Sequence, residues 1–133
     1  MAKVILEQML EVKGQLHKFE VDSAAYDSPT HEGASNNACE AIKKLFGADL
    51  LILHKAKKLT PDLIEQADVI LVMGARMKRA LPPGRTWTLK EFAGGSGDVA
   101  DPFGGNLNVY LKCAYEISSA LEAIVSKLDE LAV

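Results

Sequence analysis

The residues best suited to chemistry lie at positions 98–105, which read Asp-Val-Ala-Asp-Pro-Phe-Gly-Gly. This composition predicts a loop, because proline fixes φ and removes a hydrogen-bond donor while the glycines relax the backbone. The loop carries two carboxylates, Asp98 and Asp101, and one aromatic ring, Phe103. A carboxylic acid beside an exposed ring can protonate a leaving group in a pocket that takes an aromatic substrate. The same residues also suit a simple acidic turn that caps the next helix.

Predicted helices surround this loop. Directly after it, apolar residues recur every third or fourth position from Leu107 to Leu128, which predicts one long helix to the end of the chain. The same spacing predicts a helix over residues 2–13 and another over residues 37–46, with Asn36 as its N-cap. Shorter helices are predicted from Thr60-Pro61 to about position 67 and over residues 74–81.

Three segments read as strands. Residues 19–23 alternate between apolar and polar side chains, and residues 69–73 are five consecutive apolar residues, typical of a parallel strand covered on both faces. Residues 86–89 are a weaker strand candidate, and residues 50–53 form a brief apolar run that could be extended. Strands that alternate with helices predict an α/β fold with three layers and a small parallel sheet flanked by helices. Loops at the carboxyl ends of its strands, after Ser23, Met73 and Leu89, should share one face with the acidic loop.

The whole chain is consistent with one soluble domain over residues 1–133. A net charge of −3 gives no reason to expect a nucleic-acid or membrane surface. No apolar run approaches the roughly 20 residues that span a bilayer, and no signal peptide is recognisable. Two isolated cysteines, Cys39 and Cys113, inside helical patterns indicate a reducing cytoplasm. His17 and His31 have no partners at metal-site spacing, so no metal is expected.

Four segments together resemble the low-molecular-weight protein tyrosine phosphatase family. Residues 19–24 read Phe-Glu-Val-Asp-Ser-Ala, residues 54–61 His-Lys-Ala-Lys-Lys-Leu-Thr-Pro, residues 67–73 Ala-Asp-Val-Ile-Leu-Val-Met, and residues 101–105 Asp-Pro-Phe-Gly-Gly. Their order and spacing match the family from residue 1 to the final helix. The resemblance implies hydrolysis of a phosphotyrosine protein or a small aryl phosphate through a cysteine-phosphate intermediate, with no cofactor.

The resemblance also implies a role for particular residues. Asp101 corresponds to the general acid that protonates the departing phenolate, and Phe103 to an aromatic residue that lines the substrate pocket. Tyr26 falls where the family varies residues that touch substrate. Ser23 and His54 correspond to a serine and a histidine that support the phosphate-binding loop.

One part of the family pattern is missing from these 133 residues. The nucleophile belongs to a loop of the form C-x5-R that precedes the first helix, whereas the sixth residue after Cys39 is Leu45 and the sixth after Cys113 is Ser119. Both cysteines are expected to pack as small hydrophobic side chains. We therefore expect this chain to be an inactive, N-terminally truncated phosphatase. The alternative is a non-catalytic binding or interaction module. An arsenate reductase is a weaker alternative, because it needs further redox cysteines near the pocket.

The expected truncation removes the first strand, which in the family is central, between the strands at 19–23 and 69–73. Its loss would leave unpaired backbone groups at two strand edges. Either those strands pair directly or two chains associate, and a homo-oligomer that covers the gap is the preferred expectation.

Overall fold

The computed structural model describes residues 1–25, 35–51, 54 and 57–131, with side chains described as far as Leu128. Within these described ranges, six helices and two strands follow in chain order, with one 3-10 turn at Leu16–Lys18. The helices are α1 (Ala2–Val12), α2 (Asn36–Phe46), α3 (Pro61–Gln66), α4 (Ala75–Lys78), α5 (Leu89–Phe92) and α6 (Leu107–Leu131), and the strands are β1 (Ile70–Val72) and β2 (Thr86–Thr88). The predicted positions of all the helices from the sequence patterns agree with these bounds to within a few residues, and α5 is an additional short helix.

The hydrophobic core lies around α6, against which α1, α2 and α5 pack. The apolar residues of α6 fall on one face, and Ile117, Leu121 and Ile124 are almost completely buried there. Ile5 of α1 and Ile42 of α2 pack into the same cluster with no exposed surface. Burying a side chain of this size contributes about 1.5–3 kcal/mol, so these three helices form the stable platform of the fold.

The start of α2 differs from the predicted one. Ser35 is the N-cap, since its hydroxyl oxygen accepts a hydrogen bond from the Ala38 N–H at 3.2 Å. Asn36, the predicted cap, is the first helical residue. Serine and asparagine are about equally good caps, so neighbouring candidates cannot be separated by residue type alone. The helix ends at Gly47, whose φ of 72° lies in the left-handed region that glycine adopts without strain.

The sheet consists of β1 and β2, which run parallel with Ile70 opposite Thr86 and Val72 opposite Thr88. The predicted strands at 69–73 and 86–89 are therefore confirmed in shortened form. Leu89 instead begins α5, because the Thr88 side chain and the Glu91 side chain form a reciprocal capping box at the helix start. The α/β class, with a small parallel sheet flanked by helices, is also confirmed.

The prediction of a strand at 19–23 is wrong. The segment is extended and its burial alternates, with Phe19, Val21 and Ser23 half-buried and Glu20 and Asp22 exposed, but it pairs with no strand in the described part of the chain. A single parallel bridge follows, from Ala25 to Lys58. Alternation shows that one side of a segment is covered, whereas a strand also needs a hydrogen-bonding neighbour. Of the run at 50–53, positions 52 and 53 lie outside the described residues, and Leu50 and Leu51 are in a turn.

The edge of β1 away from β2 has no strand beside it among the described residues. The alternative in which the two predicted strands close up and pair directly is therefore not found there. None of the helices in the described ranges has the length and apolar character needed to cross a membrane.

Candidate active site

The acidic loop, residues 98–105, begins at the carboxyl end of β1. The Val99 N–H donates to the Met73 carbonyl at 2.8 Å, and the Val99 side chain is buried. The Asp98 Oδ1 accepts a hydrogen bond from the Ala75 N–H at 3.1 Å, at the start of α4. The loop thus lies at the sheet edge where parallel α/β folds bind their ligands.

The other end of the loop is held by α2 and α6. The Asn37 side-chain amide donates to the Gly105 carbonyl at 3.1 Å, across 68 residues of sequence. Asn106 then caps α6 by accepting from the Val109 N–H at 3.1 Å. Below the middle of the loop, the buried Cys113 thiol lies 3.7 Å from the Ala100 carbonyl oxygen. Contacts from three separate elements therefore fix this loop.

Asp101 lies between these anchors with an exposed carboxyl group. Its Oδ1 accepts from the Phe103 N–H at 3.0 Å, and the Gly105 N–H donates to the Pro102 carbonyl at 2.8 Å, so the segment forms two consecutive tight turns. The Phe103 side chain is 86% exposed. An exposed ring two residues from an exposed carboxyl is available to a ligand, which is the arrangement expected from the sequence.

His54 is half-buried and lies beside the start of α1. Burial lowers the pKa of its imidazole, and the positive charges of the Met1 amino group and Lys3 lower it further, while Glu7 acts in the opposite direction. Ser23 is also half-buried, and its N–H donates to Asp22 Oδ1 at 2.9 Å.

The buried Cys113 is in a poor position to act as a nucleophile. Burial raises the pKa of its thiol, the carboxylates of Glu116 and Asp101 add to this effect, and the Met1 amino group partly offsets it. Since the thiolate is the reactive form, this cysteine is held in its inert state. Met1 packs against the hydrophobic cluster that contains Cys113, and the Cys113 thiol lies below the loop that carries Asp101. Cys39 is half-buried in α2, so both cysteines lie in helices as predicted.

Several other residues can be placed. Tyr26, the second predicted substrate contact, and His31 lie outside the described residues, whereas His17 is exposed. Trp87 of β2 packs against Phe92 of α5, with ring centroids 5.2 Å apart.

A cavity of about 400 Å³ beside α4 has none of the predicted site residues in its lining. No cluster of metal-binding side chains occurs in the described part of the chain.

Two residues that hold the loop were not identified from the sequence. Asn37 carried no signal, because its partner is the backbone of a glycine 68 residues away. Asp98 was recognisable only as a second acid in the loop, and its contact with the backbone of Ala75 depends on how the loop folds back on β1.

Comparisons with known proteins identify the family of this chain. The sequence pattern of the family described as low molecular weight phosphotyrosine protein phosphatase matches residues 1–132. A protein-arginine-phosphatase of Bacillus subtilis (strain 168) is 30% identical over 137 residues, which cover 98% of this chain and 88% of the relative.

Solved structures are also similar. A low molecular weight protein tyrosine phosphatase from T. tengcongensis has a TM-score of 0.86 and 34% identity, covering 95% of this chain and 88% of that one. A YwlE arginine phosphatase mutant with a phosphorylated active-site serine has a TM-score of 0.87 and 28% identity, covering 96% and 86%. This chain belongs to the low molecular weight phosphotyrosine protein phosphatase family.

Proposed function

We propose that the acidic loop forms the proton-donor part of a phosphatase site whose substrates are phosphorylated protein side chains. The observation that carries the proposal is the exposed Asp101 carboxyl, presented at the carboxyl end of β1 on a loop that is anchored on both sides. Family membership supports the same chemistry. Phe103, exposed beside it, is proposed to contact the side chain that carries the phosphate.

The proposed reaction has two steps. A cysteine thiolate attacks phosphorus, so that an S–P bond forms while the bond to the leaving group breaks and the proton of Asp101 passes to the leaving atom. Water then attacks the phosphocysteine, Asp101 accepts its proton, the S–P bond breaks, and inorganic phosphate leaves. Ser23 and His54 are proposed to support the phosphate-binding loop, and the position of His54 beside the start of α1 favours this role.

The nucleophile of this reaction is not among the 133 residues, since neither Cys39 nor Cys113 begins a C-x5-R pattern. We therefore infer that the chain as given does not hydrolyse phosphate esters. A lone general acid supplies about 10²- to 10⁴-fold of a rate enhancement that is typically far larger. The alternative, a non-catalytic binding or interaction module, requires that no such loop accompanies these residues in the natural gene product.

Two substrate classes are candidates. The family resemblance favours phosphotyrosine or a small aryl phosphate, in which Asp101 would protonate a phenolate oxygen. The similarity to a protein-arginine-phosphatase favours phosphoarginine instead, in which the same proton would go to a guanidine nitrogen as the P–N bond breaks. In both substrates the phosphate is attached to a planar group, a phenyl ring or a guanidino group, which Phe103 can contact, so the choice between them is made by assay.

The first experiment is to read the gene upstream of the Met1 codon in frame. A C-x5-R loop there supports the enzyme, and an in-frame stop with no such loop supports the binding module.

We also propose that the chain self-associates. Sedimentation of the purified chain tests this, and a monomer at high concentration would contradict it.

The second experiment is to express the gene product that carries the loop and assay phosphotyrosine and phosphoarginine peptides. Asp101→Asn should lower kcat by about 10²- to 10⁴-fold on substrates with poor leaving groups, and by less on an activated aryl phosphate that departs without a proton. Asp68→Asn, which removes a carboxylate from the turn before β1, is the matched control. Equal activity of Asp101→Asn and the unmodified enzyme on all substrates would refute the proposed role.

A further inference from the structure

The two aspartates of the acidic loop bind different parts of the molecule. Asp98 reaches another element, accepting a hydrogen bond from the Ala75 N–H, which is 23 positions earlier in the chain. Asp101 instead accepts from Phe103, two positions further along its own turn. The first contact attaches the loop to the scaffold, whereas the second shapes the loop itself.

Asp98 is also packed closely against the backbone of Gly74. A Cβ added to Gly74 would lie 3.3 Å from Asp98 Oδ2 and 3.5 Å from its Cγ, so the carboxylate would have to shift slightly to admit a side chain there. One oxygen therefore bonds Ala75 while the other lies against Gly74. The next loop residue, Val99, donates its N–H to the Met73 carbonyl. Asp98 and Val99 therefore contact the three residues that follow β1, at positions 73–75.

We propose that Asp98 is a positioning residue that sets where Asp101 stands, and not a second proton donor. It acts as a hydrogen-bond acceptor at the base of the loop, three residues before the acid. With Asn37 holding Gly105 at the other end, the loop has a side-chain anchor on each side of Asp101. This inference rests on the proposed role of Asp101 as general acid and adds the residue that orients it.

The position of the loop can be measured in the 133-residue chain by amide hydrogen exchange, followed residue by residue by NMR at neutral pH. The Ala75 amide reports the anchor, and the Phe103 amide reports the turn that contains Asp101. In Asp98→Ala we expect both amides to exchange about fivefold faster, the factor that corresponds to losing one typical hydrogen bond. Asp98→Asn keeps an acceptor oxygen in place and should restore exchange to within about twofold of the original rates.

The matched control is Asp68→Ala, which removes one exposed carboxylate outside the loop and should leave both amides unchanged. If Ala75 exchanges faster in Asp98→Ala while Phe103 does not, Asp98 merely caps α4 and the proposal is overturned. It is also overturned if Asp98→Asn behaves like Asp98→Ala, since the effect would then come from charge. Hydrogen exchange is measured without any catalytic reaction. Its outcome therefore does not depend on the activity assay of Asp101→Asn, and that assay is the separate test of the proposed function.

Discussion

The acidic loop and the segment at 20–25 both carry predicted site residues, but different forces hold them. The loop is fixed by hydrogen bonds to Met73, Ala75 and Asn37 and rests on the buried face of α6. The segment at 20–25 has one backbone bridge to Lys58, and Asp22 forms ion pairs with Lys57 and, at 4.0 Å, with Lys3. The acidic loop is held by hydrogen bonds and core packing, and the segment at 20–25 mainly by exposed charges.

This difference predicts two kinds of behaviour in the two regions. Hydrogen bonds and packing on a buried platform are little affected by salt, whereas exposed ion pairs contribute about 0–1 kcal/mol and are screened as ionic strength rises. We therefore expect the acidic loop to withstand changes of salt concentration, and the segment at 20–25 to respond to them.

The largest effect is expected for Gly105→Ala. A Cβ at this position would lie 2.7 Å from Val109 Cγ1 and 2.9 Å from the Pro102 carbonyl oxygen, so the loop or the start of α6 must move. Overpacking of this kind costs about 1–3 kcal/mol of unfolding free energy. Gly95→Ala is the control, because its Cβ would make an ordinary contact, 3.6 Å from the Lys90 carbonyl. Denaturant unfolding measures both variants, and equal losses would mean that the loop is not tightly held.

A smaller effect is expected on the charged side. Lys57→Ala removes the closer partner of Asp22 and should cost at most about 1 kcal/mol at low salt, a difference that should disappear near 1 M salt. Lys58→Ala removes the same charge from the neighbouring position, whose described contact is the backbone bridge to Ala25. A loss in Lys57→Ala that persists in high salt would show that packing, and not charge, is responsible.

The smallest effect is a dependence of stability on pH that comes from His54. Its pKa in the folded chain is lowered below the ordinary value of 6.5, mainly by burial, so the folded state disfavours the protonated form. The unfolded chain then binds more protons below that value, and the free energy of unfolding must fall as pH drops from about 6.5. His54→Gln should flatten this part of the profile, whereas the exposed His17→Gln should leave it unchanged. Identical slopes in both variants would exclude His54 as the source.

Asp22 adds a separate loss at lower pH. Partial burial acts to raise its pKa, but the hydrogen bonds from Lys57 and the Ser23 N–H and the charges of Lys57 and Lys3 outweigh this and lower it. A lowered carboxyl pKa contributes stability that is present above the ordinary value of 3.8 and is lost as pH falls below it. The loss of stability that comes from His54 and the loss that comes from Asp22 therefore occur in separate pH ranges.

The helical platform could be predicted from the sequence because its signals are local. Apolar spacing gave α1, α2 and α6, and Thr60 followed by Pro61 gave the start of α3, where the Thr60 hydroxyl accepts from the Leu63 N–H. The prediction of a strand at 19–23 was wrong for a physical reason. Its alternation reflects one covered face, but pairing depends on which segments become neighbours, and that is decided by the rest of the fold.

The site was predictable only in part for the same reason. The composition of the loop pointed to two carboxylates and an exposed ring, and the family resemblance singled out Asp101; in the structure Asp101 and Phe103 are both exposed. The anchoring roles of Asn37 and Asp98 could not be predicted, because both side chains bind backbone atoms. Every residue has these atoms, so the sequence does not show which of them will be the partner. Distinguishing an acid that holds the loop from one that can donate a proton requires the folded geometry.

The close approach of Asp98 to Gly74 also has an evolutionary consequence. Because a Cβ at Gly74 would lie only 3.3 Å from Asp98 Oδ2, a larger side chain at position 74 would require the carboxylate to shift. Among homologues, a side chain at the position of Gly74 should be accompanied by a residue other than aspartate at the position of Asp98, with a polar group at either site able to bond the Ala75 amide. Selection should therefore act on this pair as a single unit, although the two residues are separated in sequence by α4, β2 and α5.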